Sequence, residues 1–300
     1  MPNLQASVII PTLNRKKYLL QTLGFLKKQN FNDFEVIIVD QSEKELRLKE
    51  EELKYSEDFK KRIKILYLDK KNLPNARNVG AQEAKGEILI FIDDDVIIKS
   101  KNFVENHLKN YSNPKVVAVA GRLVQPFAKK SDENKKPESV TNFLFIIKGN
   151  FSSKLKMFIK NTIPGGNFSV RRDFYFKIGG FDKNFIGNAL FEDTDFGIRI
   201  TKNKGLIIFD PATEVFHLAA SRGGVRNNDV FLKDKFYWFY HNYVYLYCKH
   251  GNDLLWPVFL LYLFLRSIYH CFKYKDLGFL PLFFKATFKG IKFYNASIKK

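Results

Sequence analysis

Short apolar runs alternate with amphipathic segments along the first third of the chain. The apolar runs cover residues 6–11, 34–40, 63–68 and 87–92. The amphipathic segments with helical spacing cover residues 18–29, 43–59 and 74–85. Strands joined by helices of this length form βαβ units, and strands that are apolar throughout are typical of a parallel sheet covered on both faces. The pattern therefore predicts an α/β fold built around such a sheet.

Three adjacent carboxylates, Asp93, Asp94 and Asp95, follow the fourth apolar run in the segment "IFIDDDVII". Asp40 ends the second run in the same way. Ligands of open α/β sheets bind beyond the carboxyl ends of the strands, where these residues are expected to lie. Adjacent carboxylates repel each other, and Mg²⁺ or Mn²⁺ held by Asp93 and Asp95 would relieve the repulsion. A solvated turn explains the same residues without a cation, because Asp is common in turns.

Two residues of this part of the chain could bind a nucleotide. Asp40 could hydrogen-bond a base or a ribose, although an aspartate that orders a turn or caps a helix would occupy the same position. Arg77 lies in "NLPNARNVG", where a helix is expected to begin, so that its guanidinium and the free amides could face a phosphate. A capped helix with a surface arginine is the alternative.

Acidic residues open another predicted helix in the segment "FEDTDFGIRI". The helix dipole and an i, i+4 ion pair with Arg199 are enough to explain why an acidic residue is present at Asp195. They account less well for Glu192 and Asp193, because "PGGNF" upstream supplies a glycine turn that a substrate could approach closely. A carboxylate in this pair could therefore act as the general base toward an incoming hydroxyl.

The segment "VFHLAASRGG" supplies a histidine and an arginine near a glycine turn. His217 is either a hydrogen-bonded histidine at the end of a strand or a third metal ligand. Arg222, with Ser221 and the turn at residues 223–224, could close over a diphosphate.

Six segments, in this order, resemble family 2 glycosyltransferases with the GT-A fold. They are "SVIIPTLNR", "VIIVDQS", "NLPNARNVGAQEAKGEILIFIDDDV", "GGNFSVRRDFYFKIGGFD", "EDTDFGIRI" and "HLAASRGG". The resemblance covers about residues 5–228 and implies a GT-A catalytic domain over residues 1–228, in which helices flank a Rossmann-like mixed sheet. It also implies a single displacement that inverts the anomeric carbon, in an enzyme of the type that builds bacterial cell-surface glycans.

The resemblance implies a donor site for a nucleotide-diphosphate sugar. The residues expected at this donor are Pro11, Thr12, Asp40, Arg77, Asp93, Asp94 and Arg222, with Asp93 placed to meet a ribose hydroxyl or the metal ion. Pro11 and Thr12 would border the nucleotide, and Asp40 would contact the base. Uracil and thymine would suit Asp40 equally, so the donor is expected to be a UDP- or dTDP-sugar.

The same resemblance implies the roles of the acidic residues and the histidine. Asp93 and Asp95 would form the DxD pair that holds Mn²⁺ or Mg²⁺, with Asp95 as the principal ligand. His217 matches a position that supplies a metal ligand in some members. Asp193 would take the proton from the acceptor hydroxyl, and Glu192 would orient the site or the acceptor. Because the metal would neutralise the departing nucleoside diphosphate, no protein acid is required.

The composition changes after about residue 228. The chain has 50 Lys and Arg against 31 Asp and Glu, a net charge of +19, and residues 229–300 hold eleven basic and four acidic residues, a net charge of +7. The apolar stretch at 254–265 is shorter than the ~20 residues that a spanning helix needs, and a later segment interleaves Phe with Lys. We expect residues 229–300 to form a helical extension that lies on an anionic membrane surface. Packing against the catalytic domain and a transmembrane hairpin are the alternatives, and the continuous apolar runs argue against binding of nucleic acid.

The sequence favours an inverting, metal-dependent glycosyltransferase whose acceptor is a hydroxyl of a lipid-linked or cell-surface glycan. The first alternative is a sugar nucleotidyltransferase, but "PTLNRKKYL" lacks the glycine-rich loop expected there. The second is a non-catalytic membrane-bound scaffold with a degenerate site. No secretory signal is recognisable, and two cysteines without CxxC spacing favour a reducing cytoplasm. We therefore expect a cytoplasmic enzyme of cell-envelope polysaccharide synthesis, peripherally associated with the inner face of the cell membrane.

Overall fold

The structure is a computed structural model that describes residues 4–137, 145–147, 149–220, 223–224 and 232–298. The strands in these ranges are β1 (Ala6–Thr12), β2 (Phe34–Asp40), β3 (Ile63–Tyr67), β4 (Ile88–Ile92), β5 (Val96–Ile97), β6 (Val116–Val124), β7 (Met157–Ile159), β8 (Asn167–Arg171) and β9 (Leu206–His217). The α-helices there are α1 (Lys16–Leu26), α2 (Glu57–Lys60), α3 (Leu73–Glu83), α4 (Phe103–Lys109), α5 (Arg172–Lys177), α6 (Glu192–Lys202), α7 (Leu232–His250), α8 (Trp256–Tyr274) and α9 (Phe279–Ser297).

The described strands form one mixed sheet in the order β3-β2-β1-β4-β8-β6-β9-β5, with β7 paired to β9. The strands β3, β2, β1 and β4 run parallel, as the βαβ pattern predicts. Strand β8 runs antiparallel to both of its neighbours, β4 and β6, whereas β6 and β9 are parallel. The wholly parallel sheet that the apolar runs suggest is therefore limited to the N-terminal half, and the mixed sheet implied by the resemblance is confirmed.

The side chains of β1 alternate between two hydrophobic cores, because successive residues of a strand point to opposite faces. Val8 and Ile10 pack on one face with Leu23 of α1. Ile9 packs on the other face with Ala76 of α3. Each such aliphatic side chain contributes about 1.5–3 kcal/mol when it is fully buried. Burial on both faces explains why the strands are apolar throughout rather than alternating.

Residues 43–59 do not form the predicted helix. They form two short 3₁₀ turns before α2, at Lys44–Leu46 and Glu50–Glu52. The apolar residues buried in this segment are Leu48, Leu53 and Phe59. Because they are five and six positions apart, they lie on no single face of a helix. The N–H of Leu48 instead donates to Asp40 Oδ2 at 2.9 Å. The helices α1 and α3 are as predicted, although they begin and end one to three residues earlier.

The helices α7, α8 and α9 pack around a core rich in aromatic residues. Helix α7 contributes Tyr240 and Tyr243, α8 contributes Phe259, and α9 contributes Phe283. Ile198 of α6 belongs to the same cluster, so the C-terminal helices pack against the α/β part of the chain. The predicted helical, aromatic C-terminal region is confirmed. The predicted boundary at residue 228 falls outside the described residues.

Candidate active site

A cleft of about 490 Å³ lies beyond the carboxyl ends of β1 and β4. This volume is within the range of small-molecule sites. Eight of the residues proposed from the sequence line it, namely Pro11, Thr12, Arg77, Asp93, Asp94, Glu192, Asp193 and His217. They belong to β1, α3, the β4–β5 turn, α6 and β9, so the fold brings together residues that are far apart in the sequence.

Asp94 and Asp95 are both buried beside Arg15, which lies in the loop after β1. Asp94 accepts a 2.6 Å hydrogen bond from Thr12 Oγ1, and its Oδ1 lies 3.3 Å from Arg15 Nη1. Asp95 Oδ2 accepts a 2.8 Å hydrogen bond from the N–H of Ala220 and lies 3.2 Å from the same Arg15 nitrogen. Burial raises the pKa of Asp94 to about 7, although Arg15 favours its charged form. Arg15 therefore faces two of the three adjacent aspartates with one positive charge.

Asp93, Asp95 and His217 form a group that could hold a metal ion. One ligand atom from each residue lies within 4.8 Å of the other two. His217 ends β9 and is paired with Val96, so the antiparallel β5–β9 pair places the imidazole beside the carboxylates. Its Nε2 lies 3.5 Å from Asp93 Oδ2 and 3.2 Å from Asp95 Oδ1. Gln125 Oε1 lies 3.1 Å from Nδ1 and restrains the orientation of the ring.

The donor set of this group suits a divalent cation. Carboxylate oxygens are the preferred ligands of Mg²⁺ and Mn²⁺, and imidazole is a ligand for transition metals. Apart from its ion pair with His217, Asp95 Oδ1 is buried and accepts no hydrogen bond within the described residues. Such an oxygen is costly unless a positive charge faces it. Burial opposes the protonation of His217, but the contacts with Asp93 and Asp95 raise its pKa to about 10. A bound cation would take the place of this proton.

Arg77 joins three parts of the cleft. The residue is 2% exposed, its Nη1 donates to Glu192 Oε1 at 2.7 Å, and its Nη2 donates to the carbonyl of Gly165 at 2.9 Å. The ring of Phe181 lies against the guanidinium, with the ring centroid 5.0 Å from Cζ. Because α6 begins at Glu192, Arg77 fixes the start of α6 relative to α3. A contact between Arg77 and a phosphate stays a prediction.

The turn at Gly165 and Gly166 contacts both Asp93 and Asp193. The N–H of Gly165 donates to Asp193 Oδ2 at 3.2 Å. A Cβ atom on Gly166 would lie 2.4 Å from Asp93 Oδ2, and one on Gly165 would lie 3.1 Å from Asp193 Oδ2. A side chain at Gly166 would therefore displace Asp93. The glycines allow two carboxylates from different elements to approach one backbone turn.

Asp40, one of the proposed donor-binding residues, does not line the cleft. Asp40 is buried, and its two oxygens accept hydrogen bonds from the N–H groups of Ser42 at 2.8 Å and Leu48 at 2.9 Å. Its carboxylate therefore orders the loop after β2, the turn role that the sequence also allowed, and the neighbouring Gln41 lines the cleft instead. A contact between Asp40 and a base stays a prediction. Arg222 lies outside the described residues.

The sequence reasoning missed Arg15 and Gln125. The loop after β1 offers three adjacent basic residues in "NRKK", and nothing in their spacing selects Arg15. Its Nη2 also donates to the carbonyl of Ala220 at 2.9 Å, which links this loop to the segment after β9. Gln125 follows β6 in a segment without a motif, and only the β6–β9 pairing brings it to His217.

Comparison with known proteins identifies the family. The family model described as "Glycosyl transferase family 2" matches residues 7–179, which is more than half of the chain. The chain belongs to glycosyl transferase family 2. The resemblance predicted from the sequence is thereby confirmed, although the match ends before Glu192, Asp193 and His217.

Two curated relatives of this family 2 chain differ in what their names describe. TarS of Staphylococcus aureus, a poly(ribitol-phosphate) beta-N-acetylglucosaminyltransferase, is 32% identical over 126 residues, 39% of this chain and 22% of TarS. A glucosyl-dolichyl phosphate glucuronosyltransferase of Haloferax volcanii is 26% identical over 191 residues, 60% of this chain and 57% of that protein. The matched parts thus span less than two thirds of the length of these relatives.

Two solved structures share the fold of the family 2 chain. The structure of S. aureus TarS 1–349 in complex with UDP-GlcNAc has a TM-score of 0.62 at 17% identity, covering 97% of this chain and 81% of that chain. The structure of the mannosyltransferase PcManGT from Pyrobaculum calidifontis, in complex with GDP-Man and Mn²⁺, has a TM-score of 0.59 at 17% identity. The match covers 94% of this chain and 73% of that chain. At these identities the likeness shows the fold alone, and it confirms the predicted GT-A fold.

Proposed function

We propose that this chain is an inverting glycosyltransferase that moves a sugar from a nucleotide-diphosphate donor to a hydroxyl of a glycan. The observation that supports this most is the pair of acidic groups at the turn of Gly165 and Gly166. Asp93 belongs to a group suited to a cation, whereas Asp193 accepts hydrogen bonds from the backbone N–H groups of Gly165 and Thr194. A cation site beside a carboxylate that can accept a proton suits the displacement of a diphosphate by a hydroxyl.

Asp193 is the proposed general base. It accepts the proton of the acceptor hydroxyl while that oxygen forms a bond to the anomeric carbon. The bond from the anomeric carbon to the diphosphate oxygen breaks on the opposite side, so that the configuration inverts. The N–H groups of Gly165 and Thr194 orient the Asp193 carboxylate, at 3.2 Å and 2.8 Å. Glu192 and Arg77 act as positioning residues, since their buried ion pair fixes the first turn of α6.

Asp93, Asp95 and His217 are the residues that would hold Mn²⁺ or Mg²⁺. Such a cation, when bound, neutralises negative charge on the departing nucleoside diphosphate. Asp95 is the proposed principal ligand, because its Oδ1 is buried without a hydrogen bond among the described residues. Arg15 supplies a fixed positive charge on the other side of Asp95, 3.2 Å from Oδ2.

The nucleotide is proposed to lie against the loop after β1. Pro11 and Thr12 line the cleft there together with Gln41. A UDP- or dTDP-sugar is the proposed donor. The solved structure of TarS in complex with UDP-GlcNAc supports a uridine nucleotide, whereas the structure of PcManGT, which has the same fold, contains GDP-Man. Asp94 is held by Thr12 and is proposed to shape the donor side of the cleft. Arg222 is proposed to contact the diphosphate.

The proposed acceptor is a lipid-linked or cell-surface saccharide. The Haloferax volcanii relative is named for a dolichyl phosphate-linked acceptor, which supports a lipid-linked substrate. The net charge of +7 in residues 229–300 would favour the anionic inner face of the cell membrane, where such an acceptor is presented. We therefore propose a cytoplasmic enzyme that associates peripherally with that face.

A panel of nucleotide sugars tests the proposed reaction. Slow hydrolysis of each donor is measured with Mn²⁺, with Mg²⁺ and with chelator, on the wild type, on Asp95→Ala and on Asp58→Ala, an exposed aspartate of α2 that serves as the matched control. We expect metal-dependent release of one nucleoside diphosphate by the wild type and the control, and its loss in Asp95→Ala. If no nucleotide sugar binds with any metal, the degenerate scaffold is the better description. Release of pyrophosphate from a nucleoside triphosphate and a sugar 1-phosphate would favour the nucleotidyltransferase.

A further inference from the structure

The outer sides of α8 and α9 carry a row of exposed apolar residues, called here the apolar face. It consists of Leu254, Val258, Leu261, Leu265, Tyr269, Phe272, Phe284 and Phe288. The first six recur at intervals of three and four residues, so they lie along one side of α8 and of the turn before it. Arg266, the charged residue in the middle of α8, is turned toward the protein, where its Cζ lies 4.6 Å from the centroid of the Phe239 ring.

The apolar face is exposed although the opposite side of α8 is buried. Leu254 is 87% exposed, Phe272 79% and Phe288 67%. On the other side of α8, Phe259 and Leu263 belong to the aromatic core. Soluble proteins expose single apolar residues, and a continuous row of them marks a surface that meets a partner or a membrane.

Lysines border the apolar face on α9. Lys285, Lys289 and Lys292 are exposed on the side of the helix next to Phe284 and Phe288. Long lysine stems can lie along apolar surface while their ammonium groups reach toward headgroup phosphates. An apolar centre with a cationic border complements an anionic lipid surface, in which acyl chains lie beneath negative headgroups.

We propose that the apolar face docks the chain on an anionic lipid surface, with α8 and α9 lying in the plane of the interface. This inference deepens the membrane association proposed above and does not depend on sugar transfer. Residues Asp253–Tyr274 are long and apolar enough to cross a membrane by length and composition. However, Tyr240 and His270 Nδ1 share a buried 2.9 Å hydrogen bond between α7 and α8. Spanning would break this contact and place Arg266 and His270 in lipid, which is costly.

Helix α7, which shares the aromatic core with α8 and α9, is joined by ion pairs to α6, the helix that carries the proposed base. At the end of α7, Lys249 Nζ and His250 Nε2 lie 2.7 Å and 2.8 Å from Asp195 Oδ1 on α6. Asp195 is two residues after Asp193 and is fully buried. A lipid-bound α8–α9 pair would therefore hold the cleft at a fixed orientation above the membrane, where a lipid-linked acceptor could reach it.

Vesicle sedimentation tests the proposal on the full chain without nucleotide or acceptor. The vesicles consist of phosphatidylcholine alone or of equal parts phosphatidylcholine and phosphatidylglycerol. We expect the wild type to bind the anionic vesicles, and the variant Leu261→Ser/Leu265→Ser/Phe288→Ser to bind them at least ~100-fold more weakly. The variant Lys285→Gln/Lys289→Gln/Lys292→Gln is expected to lose about fivefold per lysine, and high salt should remove the same contribution.

A matched variant controls for the loss of exposed apolar area. Leu46, Phe158 and Phe176 are exposed apolar residues of the α/β part of the chain, and their joint replacement by Ser should leave vesicle binding unchanged. Far-UV circular dichroism and thermal unfolding of all variants establish that they fold, and donor binding measured separately reports on the cleft.

Three outcomes would overturn the proposal. The first is that the apolar-face variant binds anionic vesicles as the wild type does. The second is that the wild type ignores vesicles and forms a dimer that the apolar-face substitutions dissociate, which would make the face an interface between copies of the chain. The third is that the membrane-bound protein resists alkaline carbonate and needs detergent for release, because α8 then spans the bilayer.

Discussion

Replacement of Arg77 by Met should cost much of the stability of the fold. The substitution keeps the apolar volume but removes the guanidinium that faces the buried Glu192 carboxylate at 2.7 Å and the Gly165 carbonyl at 2.9 Å. Loss of one partner of a buried ion pair costs about 3–5 kcal/mol, and a buried carbonyl that loses its donor costs about 1–3 kcal/mol. Because the two losses overlap, we expect about 4–5 kcal/mol, a large fraction of the ~5–15 kcal/mol that stabilises a typical domain.

Urea unfolding of a double-mutant cycle measures this cost. The cycle compares the wild type, Arg77→Met, Glu192→Gln and the double variant. The free energy of unfolding of the double variant should fall by about 2–3 kcal/mol less than the sum of the falls in the two single variants. Each single variant buries one charge opposite an uncharged partner, whereas the double variant buries neither charge. A loss below ~1 kcal/mol in Arg77→Met, or additive losses, would refute the inference that this pair fixes the start of α6.

Three further predictions concern other buried groups of the fold. Burial lowers the pKa of His107 to about 4. The free energy of unfolding should therefore keep its full value above pH ~6.5 and fall by about 3 kcal/mol as the pH drops toward 4. Urea unfolding midpoints of His107→Gln, measured over this pH range, should lack this fall. Gly166→Ala should displace Asp93 and weaken Mn²⁺ binding in calorimetry, whereas Gly24→Ala, with no atom within 4 Å of the added carbon, should not. Asp195→Asn should lower the free energy of unfolding by about 3–5 kcal/mol, because it removes the buried charge that pairs with α7.

The parallel part of the sheet and much of the cleft could be predicted from the sequence. Apolar runs mark strands that are buried on both faces, and carboxylates after such strands must lie at the edge of the sheet where ligands bind. The glycine pair before "NF" also indicates a close approach, and in the structure Asp93 and Asp193 lie against it. These signals are local, since each depends on a strand and the few residues that follow it.

The rest depends on contacts between distant segments. Strand β8 lies between β4 and β6 in the antiparallel direction, and no residue pattern within β8 indicates this. The position of His217 beside Asp95 depends on the pairing of β5 with β9. Strand β5 has only two residues and is too short to be recognised from its sequence. Nothing in the sequence distinguishes Arg15 from the adjacent basic residues, and only the direction of its loop brings it to the carboxylates. Residues 43–59 contain many good helix formers, but Asp40 accepts hydrogen bonds from the N–H groups of Ser42 and Leu48 and so holds the first part of this segment in turns.

The most direct test of the proposed mechanism is the rate of donor hydrolysis by Asp193→Asn at saturating donor. Asparagine keeps the shape of the side chain and removes the proton acceptor, so donor affinity in calorimetry should stay within a few-fold of the wild type. The rate should fall by about 100-fold or more, as expected when a general base is lost. Asp173→Asn, an exposed acid of α5, serves as the control and should retain the full rate. A wild-type rate in Asp193→Asn would contradict the assignment of the base and favour a different carboxylate in the cleft.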